Sequence, residues 1–230
     1  MISKKSFFRL IILCFVFISF VGFSQNNKFQ YSKNQLIGRG NLKLYGNSHK
    51  LQKEAYLALQ KMMKSAKKDG FSIKVVSAYR NFNHQNRIWN RKYTKFINQG
   101  YSSKQAVNKV LEYTAIPGTS RHHWGTEVDL STDYSLENNK AKFVRWMDEN
   151  AHKYGFYRVY TNNKLRDGYN YESWHYSYRN LSKPMLQQYY KLNLVQILKN
   201  QKIKGSQFFT TQFINNYFQN NVLGINDYLY

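Results

Sequence analysis

The 230-residue sequence predicts an α+β fold: a single domain in which helices pack around a small, mainly antiparallel sheet. Three observations carry this. Short β-branched or aromatic runs occur at 71–79, up to about 130, at 157–160 and at 171–178. Between them lie amphipathic stretches with apolar residues at helical spacing. Neither an internal repeat nor a long Pro- or Ser-rich linker divides the chain, whose length suffices for one ordinary core.

The N-terminus reads MISKKSFFRLIILCFVFISFVGFSQNN. Lys4, Lys5 and Arg9 form a basic region, an uncharged apolar run continues to Phe23, and Ser24-Gln25 opens polar sequence. This pattern predicts a cleaved secretory signal peptide over 1–24. The alternative is an uncleaved anchor, but the run is short against the ~20 apolar residues of a spanning helix. Cys14, the only cysteine, lies inside the run, and Leu13 is not the small residue that a lipoprotein anchor would need before it. Cleavage near Ser24 leaves a mature protein without cysteine, which excludes cysteine catalysis and thiolate metal sites. The expected location is the bacterial cell envelope, periplasmic or extracellular.

Residues 25–47 are polar and rich in Asn, Lys and Gly, and are expected to be extended. Ser48 is placed to cap a helix through Lys68, with Leu51, Ala55, Ala58, Leu59, Met62 and Ala66 at helical spacing. Asp69-Gly70 stops it, and FSIKVVSAY (71–79) alternates as a strand does. Helices are predicted over Phe82–Asn98 and Ser103–Tyr113, then a strand ending near Leu130. Residues 138–155 form a helix burying Phe143, Trp146, Met147 and Ala151, with a glycine stop. Strands at 157–160 and 171–178 flank a turn at Asp167-Gly168. Residues 48–182 are the expected body of the domain, and 183–230 a helical, aromatic-rich segment packed on it, broken at Gly205 and Gly224.

The formal charge is +23, with only 12 acidic residues; without the leader it is still about +20. Such a field concentrates polyanions and is screened over ~8 Å at physiological salt. Nucleic acid is the usual partner of a basic chain, but an exported protein meets anionic wall polymers and lipid head groups instead. Non-specific contact with those polymers is expected, and a nucleic-acid partner is not.

Three clusters could carry chemistry: SAYRNFNHQ (77–85), SRHHWGTEVD (120–129) and ESWHYSY (172–178). A hydrolytic zinc site needs two or three imidazoles or carboxylates and an open position for water. It also needs a carboxylate to take and return the water's proton. His, Asp and His as ligands with Glu as base would meet that need without cysteine.

Ser120-x-His122-x-x-Gly125-x-x-x-Asp129 resembles the SxHxxGxAxD motif of the VanY-like zinc D-alanyl-D-alanine carboxypeptidases. Glu172-Ser173-Trp174-His175 is similar to that family's E-P-W-H motif, and SAYRNFNHQ to its S-G-Y-R-S-x-x-x-Q segment. The resemblance spans roughly residues 40–180. It implies one zinc ion held by His122, Asp129 and His175. It also implies Glu172 as the base that activates the zinc-bound water and then protonates the leaving amine. Arg80 would stabilise the oxyanion, and Ser77, Gln85 and Ser120 would contact the substrate or its terminal carboxylate. The implied substrates are peptidoglycan stem peptides cut at D-alanine, by a protein expected to be monomeric. An endopeptidase with the same site, or a wall-binding module without turnover, are the alternatives; the latter would have no need of Glu172 and Arg80.

Two departures stand out. Ser173 replaces the proline, and Glu127 stands where the family usually has alanine. On a regular strand Glu127 shares a face with Asp129 and approaches the metal, whereas a bend at Gly125 would let it point away. The doubled histidine poses a further problem. His123 lies six residues before Asp129, an even spacing that puts both on one face of an unbroken strand. The motif selects His122, which requires the strand to break near Gly125. His49 and His152 are expected to be structural, and His84 a helix-surface residue or rim contact.

Overall fold

The computed structural model describes residues 30–132, 139–199 and 201–230. The expected signal peptide lies outside these residues. Four antiparallel strands form the sheet, in the order β3 (Lys74–Ser77), β4 (Glu127–Ser131), β6 (His175–Tyr178), β5 (Phe156–Arg158). The α+β expectation is borne out.

The strand period separates two layers. Val128 and Leu130 on β4, with Tyr176 and Tyr178 on β6, face a core shared with α2 (Lys53–Lys68) and α5 (Asn139–Asn150). That core takes in Ala55, Leu59, Met62 and Ala66 of α2 and Phe143, Trp146 and Met147 of α5. The alternate residues, Glu127 and Asp129 on β4 with His175 and Ser177 on β6, share the opposite face. Asp129 pairs directly with His175, and Glu127 with Ser177.

The second core lies among α3 (Phe82–Asn98), α4 (Ser103–Leu111) and the C-terminal helices α6 (Arg179–Tyr189), α7 (Leu194–Lys199) and α8 (Thr211–Tyr217). Trp89, Val107, Met185, Tyr189, Ile197 and Tyr217 are all buried in it. The C-terminal segment anchors the loop at 116–118: Tyr217 Oη accepts the Ile116 N–H, and the Tyr189 hydroxyl donates to the Gly118 carbonyl. Helix α6 begins at Arg179, ahead of the expected boundary at 182.

Two local expectations are corrected. Residues 32–37 are not extended: Ser32 and Gln35 form a capping box for the short helix α1 (Lys33–Leu36), and Leu36 and Ile37 are buried. Ser48 does not cap α2. Leu51–Gln52 (β2) instead pairs with Leu44–Tyr45 (β1), so the helix starts at Lys53. The strand buries Leu51 fully, and the backbone at 51–52 is held by the β1 pairing and by the Gln52 N–H donating to the Gly125 carbonyl at 2.8 Å. Helix α3 keeps its predicted bounds, with Asn81 Oδ1 accepting the His84 N–H at 2.8 Å.

Candidate metal centre and active site

Asp129 and His175 meet because their strands pair at that position; His122 reaches them by a different route. Residues Arg121–Trp124 form a 3-10 turn, and Gly125 leaves it at φ 65° into β4. Glycine is favoured at this position because its left-handed conformation is strained for other residues, and a Cβ would press the tip of the Leu44 side chain at 2.7 Å. Strand parity therefore ends at Gly125, and the odd-spaced His122 turns toward Asp129.

The ring of His122 donates from Nδ1 to the Ala78 carbonyl at 2.7 Å. Its Nε2 is left buried, without a hydrogen-bond partner, 3.4 Å from Asp129 Oδ1. One ligating atom from each of His122, Asp129 and His175 lies within 4.8 Å of the others. An orphaned imidazole nitrogen converging on a carboxylate and a second imidazole fits a zinc-type ion held by N and O donors.

A cleft of about 180 Å³ opens beside this trio. Glu172, Arg80, Ser120 and Gln85 all line it, as do the three candidate ligands. Glu172 Oε2 lies 2.9 Å from His175 Nδ1, and its backbone N–H is tied to the Tyr160 carbonyl. Arg80 Nη2 is 3.9 Å from Asp129 Oδ2, while its buried Nε has no partner. Gln85 is buried, with Nε2 donating to the Ala115 carbonyl and Oε1 unpartnered. Ser77 pairs with Asp129 across β3 and β4 but does not line the cleft; it lies beside a ladder irregularity between Val75 and Ser77. Tyr113 and Trp174, half exposed with ring centroids 6.3 Å apart, form an aromatic lip.

His123 is not part of the trio. Its Nδ1–H donates to the Arg80 carbonyl at 2.6 Å and its Nε2 accepts the Gly118 N–H at 3.1 Å. Both ring nitrogens are thereby used on backbone.

Charge is distributed unevenly over this face. Burial, assisted by Arg80, pulls the His122 pKa down to about 4, which keeps the ring neutral. Burial alone would raise the Asp129 carboxyl, but His122 and then His175 and Arg80 outweigh it and hold it well below the usual range. For His175, burial is outweighed by hydrogen bonds to Glu127 and Glu172, and its pKa rises to about 9. Glu127 is brought down to about 2, because Arg121 and His175 overcome its complete burial.

Two residues of this region were missed as site residues in the sequence. Glu127 faces His175, for reasons of strand period that were visible but undecided. Lys92 lines the cleft and donates from Nζ to Thr114 Oγ1 at 2.6 Å. It stands seven residues after Gln85 on α3, a helical spacing that could have revealed it.

Comparison with known proteins identifies this arrangement. Residues 48–181 match the family model of VanY, D-alanyl-D-alanine carboxypeptidase. The chain belongs to the VanY family. A VanY-family relative, the D-alanyl-D-alanine carboxypeptidase of Enterococcus faecalis (strain ATCC 700802 / V583), is 36% identical over 121 residues, which is 52% of this chain and 45% of that protein. The chain thus spans less than half the length of that curated relative. Among solved structures, VanYB in complex with D-alanine-D-alanine matches with a TM-score of 0.57 and 29% identity, over 71% of this chain and 92% of that one. A mutant of the vancomycin-resistance D,D-pentapeptidase VanY in complex with Zn(II) matches with a TM-score of 0.56 and 26% identity, over 74% and 90%. The family expected from the motifs is the family found.

Proposed function

We propose that the protein is an exported zinc carboxypeptidase that releases the terminal D-alanine from peptidoglycan stem peptides. One observation carries this reading: the unpartnered Nε2 of His122 converges with Asp129 and His175 in a cleft that also holds Glu172 and Arg80. The ligand-bound VanY relatives, one with D-alanine-D-alanine and one with Zn(II), support the substrate and the metal.

His122, Asp129 and His175 would hold the ion. Zinc at this point supplies Lewis acidity, polarising a carbonyl and bringing the pKa of water from 15.7 to about 7. Glu172 takes a proton from the attacking water as its oxygen adds to the scissile carbonyl carbon. Arg80, whose Nε has no partner in the protein, faces the negative charge that develops on the carbonyl oxygen. As the C–N bond breaks, Glu172 passes the proton to the departing amine, and one new carboxylate and one free amino acid result.

Lys92 favours carboxypeptidase over endopeptidase action. Arg80 and Arg121, which also line the cleft, each face a carboxylate, whereas Lys92 is held by Thr114. A substrate ending in a free carboxylate would complement it; an internal cross-link would not. Ser120 and Gln85 are the neutral contacts proposed for the same end of the substrate. The basic surface suits adsorption to anionic wall polymers, with release at high salt.

The test is mass spectrometry of defined muropeptides after incubation with the zinc-loaded protein. Loss of one alanine from a pentapeptide is the expected result. Cleavage of a cross-linked dimer alone would replace this reading by the endopeptidase one, and no cleavage of any substrate would leave a binding module.

A further inference from the structure

Glu127 is an acid that the VanY motif does not require, and it is the most deeply buried acid of the site: its side chain has no exposure to solvent. It does not line the cleft. Ser177 Oγ donates to Oε1 at 2.7 Å and Thr126 Oγ1 at 3.1 Å, and Arg121 Nη2 stands 3.3 Å from the same oxygen. Among the described residues the other oxygen, Oε2, has one hydrogen-bond partner, His175 Nε2 at 3.1 Å.

We propose that Glu127 is a positioning residue for the metal centre, accepting the Nε2–H of His175 and so presenting Nδ1 as the ligand atom. The two sides of the imidazole differ. Nδ1 looks toward Glu172, which lines the cleft, so a metal or a substrate approaches from that side. Nε2 looks into the protein, toward a carboxylate whose other oxygen is already saturated. A carboxylate behind a ligating imidazole fixes the ring's orientation and raises its basicity. Rigidity is built in: Glu127 and Ser177 are cross-strand partners in the β4–β6 ladder, two residues along from the pair that sets Asp129 opposite His175.

A purely structural ion pair between Arg121 and Glu127 is the competing explanation. Such a buried pair can generally be replaced by apolar side chains at little cost to the fold, whereas removing one member strands the other. The proposal rests on the zinc reading above, and the experiment separates the two.

Zinc affinity is measured by competition with a chromophoric chelator for the wild type, for E127Q and for the paired variant R121M/E127A. Unfolding curves of the metal-free proteins establish that each is folded. The paired variant should lose zinc affinity by about 10–100-fold, with E127Q, which retains a carbonyl acceptor, losing less. In zinc-loaded wild type labelled with 15N-histidine, His175 should carry a slowly exchanging proton on Nε2; in R121M/E127A that proton should exchange rapidly. Unchanged zinc affinity in a folded R121M/E127A, or a wild-type His175 whose proton sits on Nδ1, overturns the role of Glu127 and leaves the zinc reading standing. A wild-type protein that takes up no zinc overturns both.

Discussion

The imidazole of His123 grips the backbone of Arg80: Nδ1 donates to the Arg80 carbonyl at 2.6 Å, while the Arg80 N–H donates to the carbonyl of His122 at 3.1 Å. Adjacent histidines thus divide the work. One aims a free nitrogen at Asp129, and the other holds the arginine of the cleft in place.

From this division, His122→Ala should abolish zinc binding and His123→Ala should retain it. The second variant loosens Arg80 and leaves the part-buried Arg80 carbonyl without its donor, a destabilisation of about 1 kcal/mol. Metal analysis combined with thermal unfolding distinguishes them. Zinc retained by the His122 variant and lost from the His123 variant would reverse the assignment.

Glu172 and Arg80 should separate chemistry from metal binding. Glu172→Ala is expected to keep stoichiometric zinc while kcat falls by about 10²–10⁴, the usual worth of a positioned proton carrier. Arg80→Gln should lower kcat by about 10²–10³ with a smaller change in KM, the pattern of a group that acts on charge in the transition state. Steady-state kinetics on a pentapeptide provide both numbers, and wild-type turnover in Glu172→Ala would remove Glu172 from the mechanism.

Lys92→Met should raise KM for a peptide with a free C-terminal carboxylate by about 10–100-fold, the range of a hydrogen bond to a charged group. The C-terminally amidated analogue should be a poor substrate for the wild type and no worse for the variant. Equal losses on both peptides would mean that Lys92 shapes the cleft without reading the carboxylate.

Histidines displaced in opposite directions predict opposite pH limits for the metal-free protein. His175, raised to about 9 by Glu127 and Glu172 against the effect of burial, contributes stability that is complete below pH ~6.5 and is lost as pH rises through 9. His123, lowered to about 3 mainly by burial, contributes stability present above pH ~6.5 and lost as pH falls through 3. Urea unfolding across this range should therefore show a maximum near pH 6.5. A stability that climbs from 6.5 to 9 contradicts the His175 shift. Because His175 must release its proton to bind metal, apparent zinc affinity should also rise about tenfold per pH unit toward 9.

Much of the helical architecture was legible in the chain. Helix α3 kept its predicted bounds, because its period and its Asn81 cap are local signals. The start of α2 was not legible: the apolar spacing of Leu51 with Ala55 and Ala58 is genuine, but a two-residue ladder with Leu44–Tyr45 captures Leu51–Gln52 first. Lys92 escaped notice because a lysine on a helix is ordinarily solvated; its spacing from Gln85 puts the two on one face of α3, and its bond to Thr114 holds it in the cleft.

The candidate roles of His122, Asp129, Glu172 and His175 came from the resemblance of their motifs to the VanY-like family; strand periodicity alone would have picked His123. Which face each side chain takes was not readable, because that depends on where backbone periodicity breaks. The 3-10 turn ending at Gly125 turns His122 inward and leaves His123 to the backbone of Arg80. Beyond that glycine the strand is regular, so Glu127 keeps the face of Asp129, and the pairing of β4 with β6 carries it to His175. A sequence lists donors in one dimension; hydrogen-bonded register decides which of them converge on one point.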